Sequence, residues 1–253
     1  MKRSMRTLVL FLTFAMLLTI ASACAPKEVL TMATNAAFPP YEFHSGGKIV
    51  GIDAEIAEAI AKKIGMKLSI EDIEFDSVIP SVETGKYHMA MAGLTVTEER
   101  KQQVSFTTSY ATGVQVIIVP EGSSITSVDD LFDDGAFHVI GVQLATTGDL
   151  YSTWDLEDEG LASIERYEKG ADAIMALNSG KVDCVIIDNE PAKVFVRQNQ
   201  GLKILDTEFA VEDYAIAVNK NNTVLFEKID KALKELIADG TVKKIVDKYI
   251  KVN

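Results

Sequence analysis

Val29 to Thr34 (VLTMAT), Asp53 to Ile64 (DAEIAEAIAKKI) and Leu68 to Glu74 (LSIEDIE) are the runs whose reading decides the fold. The first reads as a strand. In the second, Ile56, Ile60 and Ile64 recur every four residues with Ala57 and Ala61 beside them. Gly65 follows as a stop, so this run predicts a helix with one apolar stripe. The third alternates as a strand does. Asp76 is placed to cap a helix that carries Val78, Ile79 and Val82 and ends at Gly85. Met89 to Gly93 (MAMAG) reads as a short buried strand. This β-α-β-α-β order predicts a mostly parallel sheet covered by helices.

Similar units follow. Val114 to Val119 (VQVIIV) is β-branched and continuous, which predicts a buried strand. His138 to Val142 reads as a strand, Ala171 to Asn178 as a helix closed by Gly180, and Val182 to Asp188 (VDCVIID) as another strand. Tyr214 to Val218 (YAIAV) gives one more. Leu225, Phe226, Ile229, Ala232, Leu233, Leu236 and Ile237 trace a helical stripe, with Gly240 after it. Val242, Ile245, Val246, Tyr249 and Ile250 make a last short amphipathic helix. The chain shows no repeat of fixed period, no low-complexity tract and no internal membrane span.

The start is unlike the rest. Lys2, Arg3 and Arg6 precede an apolar run from Leu8 to Ile20, and Ala21-Ser22-Ala23 comes before Cys24. This is the three-part form of a secretory signal over 1–23, and the run is too short to span a bilayer. The small residues suit ordinary cleavage. Standing directly before Cys24, they also resemble a bacterial lipobox, although leucine is more usual where Ala21 stands. A lone cysteine at this point favours lipidation of Cys24, with 24–28 as a short tether on the outer face of the membrane. Removing the leader lowers Lys+Arg from 25 to 22 against 37 Asp+Glu, so the formal charge moves from −12 to about −15.

Composition narrows the function. With 253 residues and 47% hydrophobic content the chain can bury a core, and its acidic balance argues against nucleic acid. Two cysteines exclude a disulfide scaffold. Cys184 reads as a plain buried thiol, and the scattered His44, His88 and His138 make no metal centre. Catalytic, Walker and dinucleotide motifs are absent, so no cofactor is expected. What remains suits a small zwitterion. A free amino acid needs a bidentate donor for its carboxylate and a carboxylate for its ammonium. Beyond the leader only Arg100, Arg166 and Arg197 are arginines, which makes Arg100 conspicuous.

The motifs resemble those of the polar amino-acid family of extracellular solute-binding proteins, the receptors of ABC importers (bacterial solute-binding protein family 3). The resemblance begins with residues 33–43 (ATNAAFPPYEF) and Gly51-Ile52-Asp53. It continues through 75–80 (FDSVIP), 92–100 (AGLTVTEER) and 105–110 (SFTTSY). Residues 143–147 (QLATT) and 183–189 (DCVIIDN) complete it, so that it covers essentially 28–250. It implies an α/β, two-lobed periplasmic-binding-protein-like fold (type II). Residues 29–110 and 216–253 would form lobe 1, 115–211 lobe 2, and 111–114 and 212–215 the hinge strands.

Roles follow by similarity. Arg100 clamps the α-carboxylate, held in the first turn of a helix capped by Thr97. Main-chain N–H groups of Thr95 and Thr147 add donors. Asp188 accepts from the α-ammonium, with the Gly93 carbonyl and the Thr95 hydroxyl. Phe38 and Phe75 wall the side chain, with Asn35 and Gln143 nearby. Ala145 stands where the family usually has glycine, which puts the placing of Thr147 in question. Asn35 stands where binders of cationic side chains often carry aspartate, so a neutral polar ligand such as glutamine is favoured; Glu190 keeps a cationic one open. The implied partners are that free amino acid, an ABC permease and a lipid anchor, with the chain a monomer. The rivals are a cleft enzyme of dehydratase or lytic type, using Glu190 or Glu42 as general acid, and a ligand-sensing surface lipoprotein without a transport role.

Overall fold

The isoleucine spacing at 56, 60 and 64 forms the helix Ile52–Ile64 in the computed structural model, which describes residues 28–250 except 134. Ile52, Ile56 and Ile60 are wholly buried, and Ala57 and Ala61 let a neighbouring helix approach. That neighbour is Thr223–Ala238, whose Ile229 and Leu233 are also wholly buried. Each such aliphatic side chain contributes about 1.5–3 kcal/mol when fully buried. The helix Thr241–Tyr249 completes this layer.

Two five-stranded sheets carry the rest. The first runs Lys67–Asp72, Val29–Thr34, Met89–Ala90, Ala217–Asn219, Val104–Phe106. The second runs Ala162–Tyr167, His138–Gln143, Cys184–Asp188, Ala111–Pro120, Leu202–Tyr214. A small antiparallel sheet of Ala37–Phe38, Glu42–Ser45 and Lys48–Val50 packs on the helix Ile52–Ile64.

The sheets are mixed rather than mostly parallel. Each begins with two parallel pairings and ends with two antiparallel ones. The cause is the chain's route. In each sheet, one strand delivered from the other half runs against both its neighbours: Ala217–Asn219 in the first, Ala111–Pro120 in the second.

The chain passes between the sheets as a two-stranded ribbon. Tyr214 faces Ala111, Asp213 faces Thr112, Glu212 faces Gly113 and Val211 faces Val114. Backbone bonds anchor it to the first half: Val96 N–H donates to Asp213 O at 3.0 Å and Ala215 N–H to Leu94 O at 3.1 Å. The expected strand Tyr214 to Val218 is therefore two pieces, with a break at residues 215–216 where the ribbon gives way to the sheet.

Two local expectations change. Asp76 caps no helix: Phe75–Ser77 is a 3₁₀ turn leading into Val78–Glu83, and neither start carries a side-chain cap. Asp76 instead accepts from Ser77 Oγ at 3.2 Å. The strand Ala162–Tyr167 has no counterpart in the sequence reading, and of Leu202–Tyr214 only the end from residue 212 is expected there as a strand. Both lie at sheet edges, where charged residues break the apolar pattern. Cys184 sits wholly buried and unpaired within the second sheet, where burial pushes its thiol up. The leader and Cys24 lie outside the described residues. Among the described residues no helix is long and apolar enough to cross a membrane.

Candidate ligand-binding site

The facing ends of the two sheets meet at Arg100. Thr97 caps the helix Glu98–Gln103, its Oγ1 accepting from Arg100 N–H at 3.1 Å, which fixes Arg100 in the first turn. The guanidinium is 6% exposed. Nη1 donates to Thr95 O at 3.0 Å, Nη2 donates to Ala145 O at 3.1 Å, and the group lies 5.7 Å over the Phe75 ring. Burial pulls its pKa down while Glu212 and other acidic groups hold it up. Arginine stays charged in such a place. Among the described residues no carboxylate forms an ion pair with it, so a buried positive charge faces the cavity with only carbonyls for partners.

Asp188 stands at the end of the strand Cys184–Asp188, on the other sheet, and is 6% exposed. Tyr214 Oη donates to its Oδ1. Burial, then the charge of Glu212, holds this carboxyl well above the usual range. An ammonium arriving beside it would favour the ionised form.

All nine residues singled out for a ligand line one small cavity: Asn35, Phe38, Phe75, Gly93, Thr95, Arg100, Gln143, Thr147 and Asp188. Ala92 and Thr146 also line it, and the cavity they leave is about 10 Å³. That is room for about one water, far below the roughly 300–1,000 Å³ of sites for drug-sized molecules, so the lining residues stand nearly in contact with one another in this structure. Contacts bridge the two halves around it. Gln143 Nε2 donates to Asn35 Oδ1 at 3.1 Å, and the Thr95 and Thr147 hydroxyls stand 3.5 Å apart. Gln143 also donates to Glu168 O, and Asn35 Nδ2 to Ile73 O.

Gly93 shows why a glycine holds this wall. Its φ is +54°, and a Cβ there would meet Phe38 Cε1 at 2.9 Å. Its N–H donates to Asp53 Oδ2 at 3.0 Å, and Tyr110 Oη donates to Asp53 Oδ1 at 2.7 Å. Burial pushes Asp53 up to about 6. Burial and Asp53 push Glu42 well above the usual carboxylate range.

Neither alternative acid reaches the cavity. Glu42 is wholly buried beneath Gly93's support, outside the lining. Glu190 turns to Lys193, with Nζ 2.5 Å from Oε1, because the first turn of the helix Asn189–Gln198 points it away from Asp188's side. A roomier depression between the helix Ile52–Ile64 and the strand Lys67–Asp72 opens broadly to solvent. Its lining of Lys48, Glu55, Glu58, Lys62 and apolar stems converges no buried polar group. No cluster that could hold a metal exists among the described residues.

Ala145 keeps the conformation of the glycine it replaces, at φ +62°. Its carbonyl accepts from Arg100 Nη2 and its N–H donates to Asp149 Oδ2 at 2.9 Å. The left-handed region costs alanine about 1–2 kcal/mol, partly offset by glycine's greater unfolded entropy. Ala145→Gly is expected to raise stability by up to about 1 kcal/mol, read as a higher urea midpoint at unchanged slope. A lower midpoint would contradict this reading of the loop.

Sequence reasoning passed over Gln115 and Glu212, both buried on the crossing strands. Glu212 sits among Val211, Asp213 and neighbours that read as solvated surface, and only its place on a crossing strand signals otherwise.

The comparisons agree with this geometry. The family model for bacterial extracellular solute-binding proteins, family 3, matches residues 30–252. The arginine-binding extracellular protein ArtP of Bacillus subtilis (strain 168) is 32% identical over 226 residues, spanning 88% of this chain and 86% of that protein. An ancestral arginine-binding protein bound to arginine superposes with a TM-score of 0.82 at 40% identity, covering 89% of this chain and 100% of that one. A structure of such an ancestral protein bound to glutamine gives 0.81 at 39% identity, covering 90% and 100%. The fold is thus that of the type II periplasmic binding proteins, and the chain belongs to the bacterial extracellular solute-binding proteins, family 3.

Proposed function

We propose that this protein captures a free polar L-amino acid between two lobes and delivers it to an ABC-type importer. The observation that carries the reading is Arg100: a buried guanidinium without an ion pair among the described residues, lining one cavity with Asp188 of the other sheet. Arg100 takes the α-carboxylate in a two-pronged grip, with main-chain N–H groups of Thr95 and Thr147 beside it. Asp188 takes the α-ammonium with the Gly93 carbonyl and the Thr95 hydroxyl. Phe38 and Phe75 enclose the side chain. We read it as a site for binding, and of the two acids a cleft enzyme would use neither Glu42 nor Glu190 lines the cavity.

Residues 29–110 with 216–253 act as one lobe and 115–211 as the other, hinged at 111–114 and 212–215. The bridges Arg100 to Ala145 and Gln143 to Asn35 belong to a closed arrangement. A ligand held by both lobes favours that form by its differential affinity. The leader 1–23 exports the chain and Cys24 anchors it by lipid on the outer membrane face, where it works as a monomer.

At the side-chain end, Asn35 and Gln143 offer amide donors and acceptors without formal charge, which suits glutamine. A cationic ligand is the second reading. Arginine-binding relatives support it, as does the cavity's balance of one buried arginine against the nearby carboxyls of Asp188 and Glu212.

A thermal-shift screen against the twenty amino acids, ornithine, citrulline and cystine tests the proposal. At a thousandfold excess over Kd a ligand adds about 4 kcal/mol, which for a chain of this size raises the midpoint by roughly 8–16 °C. A flat response to every compound would overturn the reading.

A further inference from the structure

Glu212 has no part in the binding scheme above, yet the fold buries it to 5% exposure on the second crossing strand, opposite Gly113. Burying a carboxylate is costly unless it is paired, and among the described residues no lysine or arginine forms an ion pair with it. Its Oε2 meets two donors, Thr95 Oγ1 at 2.9 Å and Gln115 Nε2 at 3.0 Å. Its Oε1 meets none. Gln115, on the first crossing strand, also donates from Nε2 to Thr147 Oγ1 at 3.3 Å. The flipped amide would set its oxygen against Glu212, so this orientation is fixed by the carboxylate.

Proton counting gives the consequence. A hydroxyl has one proton and two lone pairs, a carboxylate only accepts, and an amide NH₂ only donates. Thr95 gives its single proton to Glu212 and turns lone pairs toward the cavity. Thr147 accepts from Gln115 and keeps its own proton for Thr95, at the long distance of 3.5 Å, or for a ligand that competes for it. Both hydroxyls line the cavity, 3.5 Å apart.

We propose that Glu212, acting with Gln115 through Thr95 and Thr147, fixes the hydrogen-bond polarity of the cavity and so decides which end of a zwitterion lies where. In this scheme Thr95 offers its acceptor to the ammonium and Thr147 its donor to the carboxylate. Glu212 is thereby a positioning residue, and its role rests on the amino-acid reading above.

The test compares ligands with and without the α-ammonium. Competition calorimetry uses L-arginine against 5-guanidinopentanoic acid, and L-glutamine against glutaramic acid. Glu212→Gln keeps the shape but can donate to Thr95, which frees the Thr95 proton to point into the cavity where the ammonium needs an acceptor. The amino acid that binds wild type should weaken at least about tenfold in this variant, the loss of a good share of one charge-assisted hydrogen bond. Its counterpart without the ammonium should change less than about threefold, so that the affinity ratio collapses. Equal losses for both compounds, as a merely structural role would give, overturn the assignment, and so does an unchanged ratio. Should E212Q lack a cooperative melt, Thr95→Val carries the same comparison, since it removes the oriented hydroxyl and leaves Glu212 in place. Wild type silent toward both amino acids would instead overturn the ligand reading itself. Wild-type binding with a ratio preserved in the variant overturns only the role of Glu212.

Discussion

Arg100→Ala is expected to abolish measurable amino-acid binding while the ligand-free protein still folds. In the closed arrangement the guanidinium is held only by the carbonyls of Thr95 and Ala145, and no carboxylate among the described residues pairs with it. Its charge is therefore uncompensated until an anion arrives. Truncating one partner of a buried charge pair costs about 2–5 kcal/mol or more. The expected loss is a hundredfold or greater in Kd, on the order of 3 kcal/mol. The fold loses less. Two carbonyls are left without a donor, at about 1–3 kcal/mol each when fully desolvated, but a buried charge also disappears. Arg100→Lys should fall between, because an ammonium cannot grip a carboxylate with a planar fork. Calorimetry reads the affinity and a thermal melt reads the fold. Undiminished binding in the alanine variant would remove Arg100 from the site.

Gly113→Ala should damage stability and binding together. A Cβ at this position would meet Tyr214 Cζ and Oη at 2.4 Å and Cε1 at 2.5 Å, far inside contact distance. The ring cannot retreat. Tyr214 is wholly buried and stands edge-on to Tyr41, with centroids 5.2 Å apart at 75°. Overpacking of this kind costs about 1–3 kcal/mol and occasionally more, and a rigid aromatic neighbour puts this case at roughly 3 kcal/mol or above. The same displacement takes the Tyr214 hydroxyl from Asp188 and disturbs the pairing that places Glu212 opposite Gly113. A lower urea midpoint accompanied by weaker ligand binding is the expected pair of results. A variant within about 0.5 kcal/mol of wild type, the range of an ordinary surface change, would contradict the packing described for the ribbon.

Much of this was legible because the physics repeats along the chain. Ile56, Ile60 and Ile64 mark their helix because only a helical period aligns them on one buried face. Arg100 and Asp188 stand out for different reasons. One is among few arginines within an ordered set of motifs; the other ends an apolar run that must stop at a charge. Their meeting at one cavity followed from the resemblance, since no local pattern brings residues 88 positions apart together.

The rest was hidden for equally physical reasons. Leu202–Tyr214 is an edge strand rich in charge, so neither face of it reads as buried. The antiparallel strand in each sheet depends on the route between halves, which leaves no mark on composition. Glu190 and Asp188 are two residues apart, yet the turn of the helix starting at Asn189 sends Glu190 to Lys193. Glu212 looks like surface acid until its neighbours Thr95 and Gln115, distant in sequence, close over it. Ala145 shows the reverse: the missing glycine suggested a shifted loop, and the backbone holds the left-handed conformation regardless.

The central claim is that one free amino acid bridges Arg100 and Asp188 from opposite halves. Titration calorimetry of wild type, Arg100→Ala and Asp188→Asn with L-glutamine and L-arginine tests it most directly. The account predicts saturable binding of one molecule per wild-type chain and its loss in both variants. Saturable binding that survives in both variants, or no saturable binding to the folded wild-type protein, would contradict it.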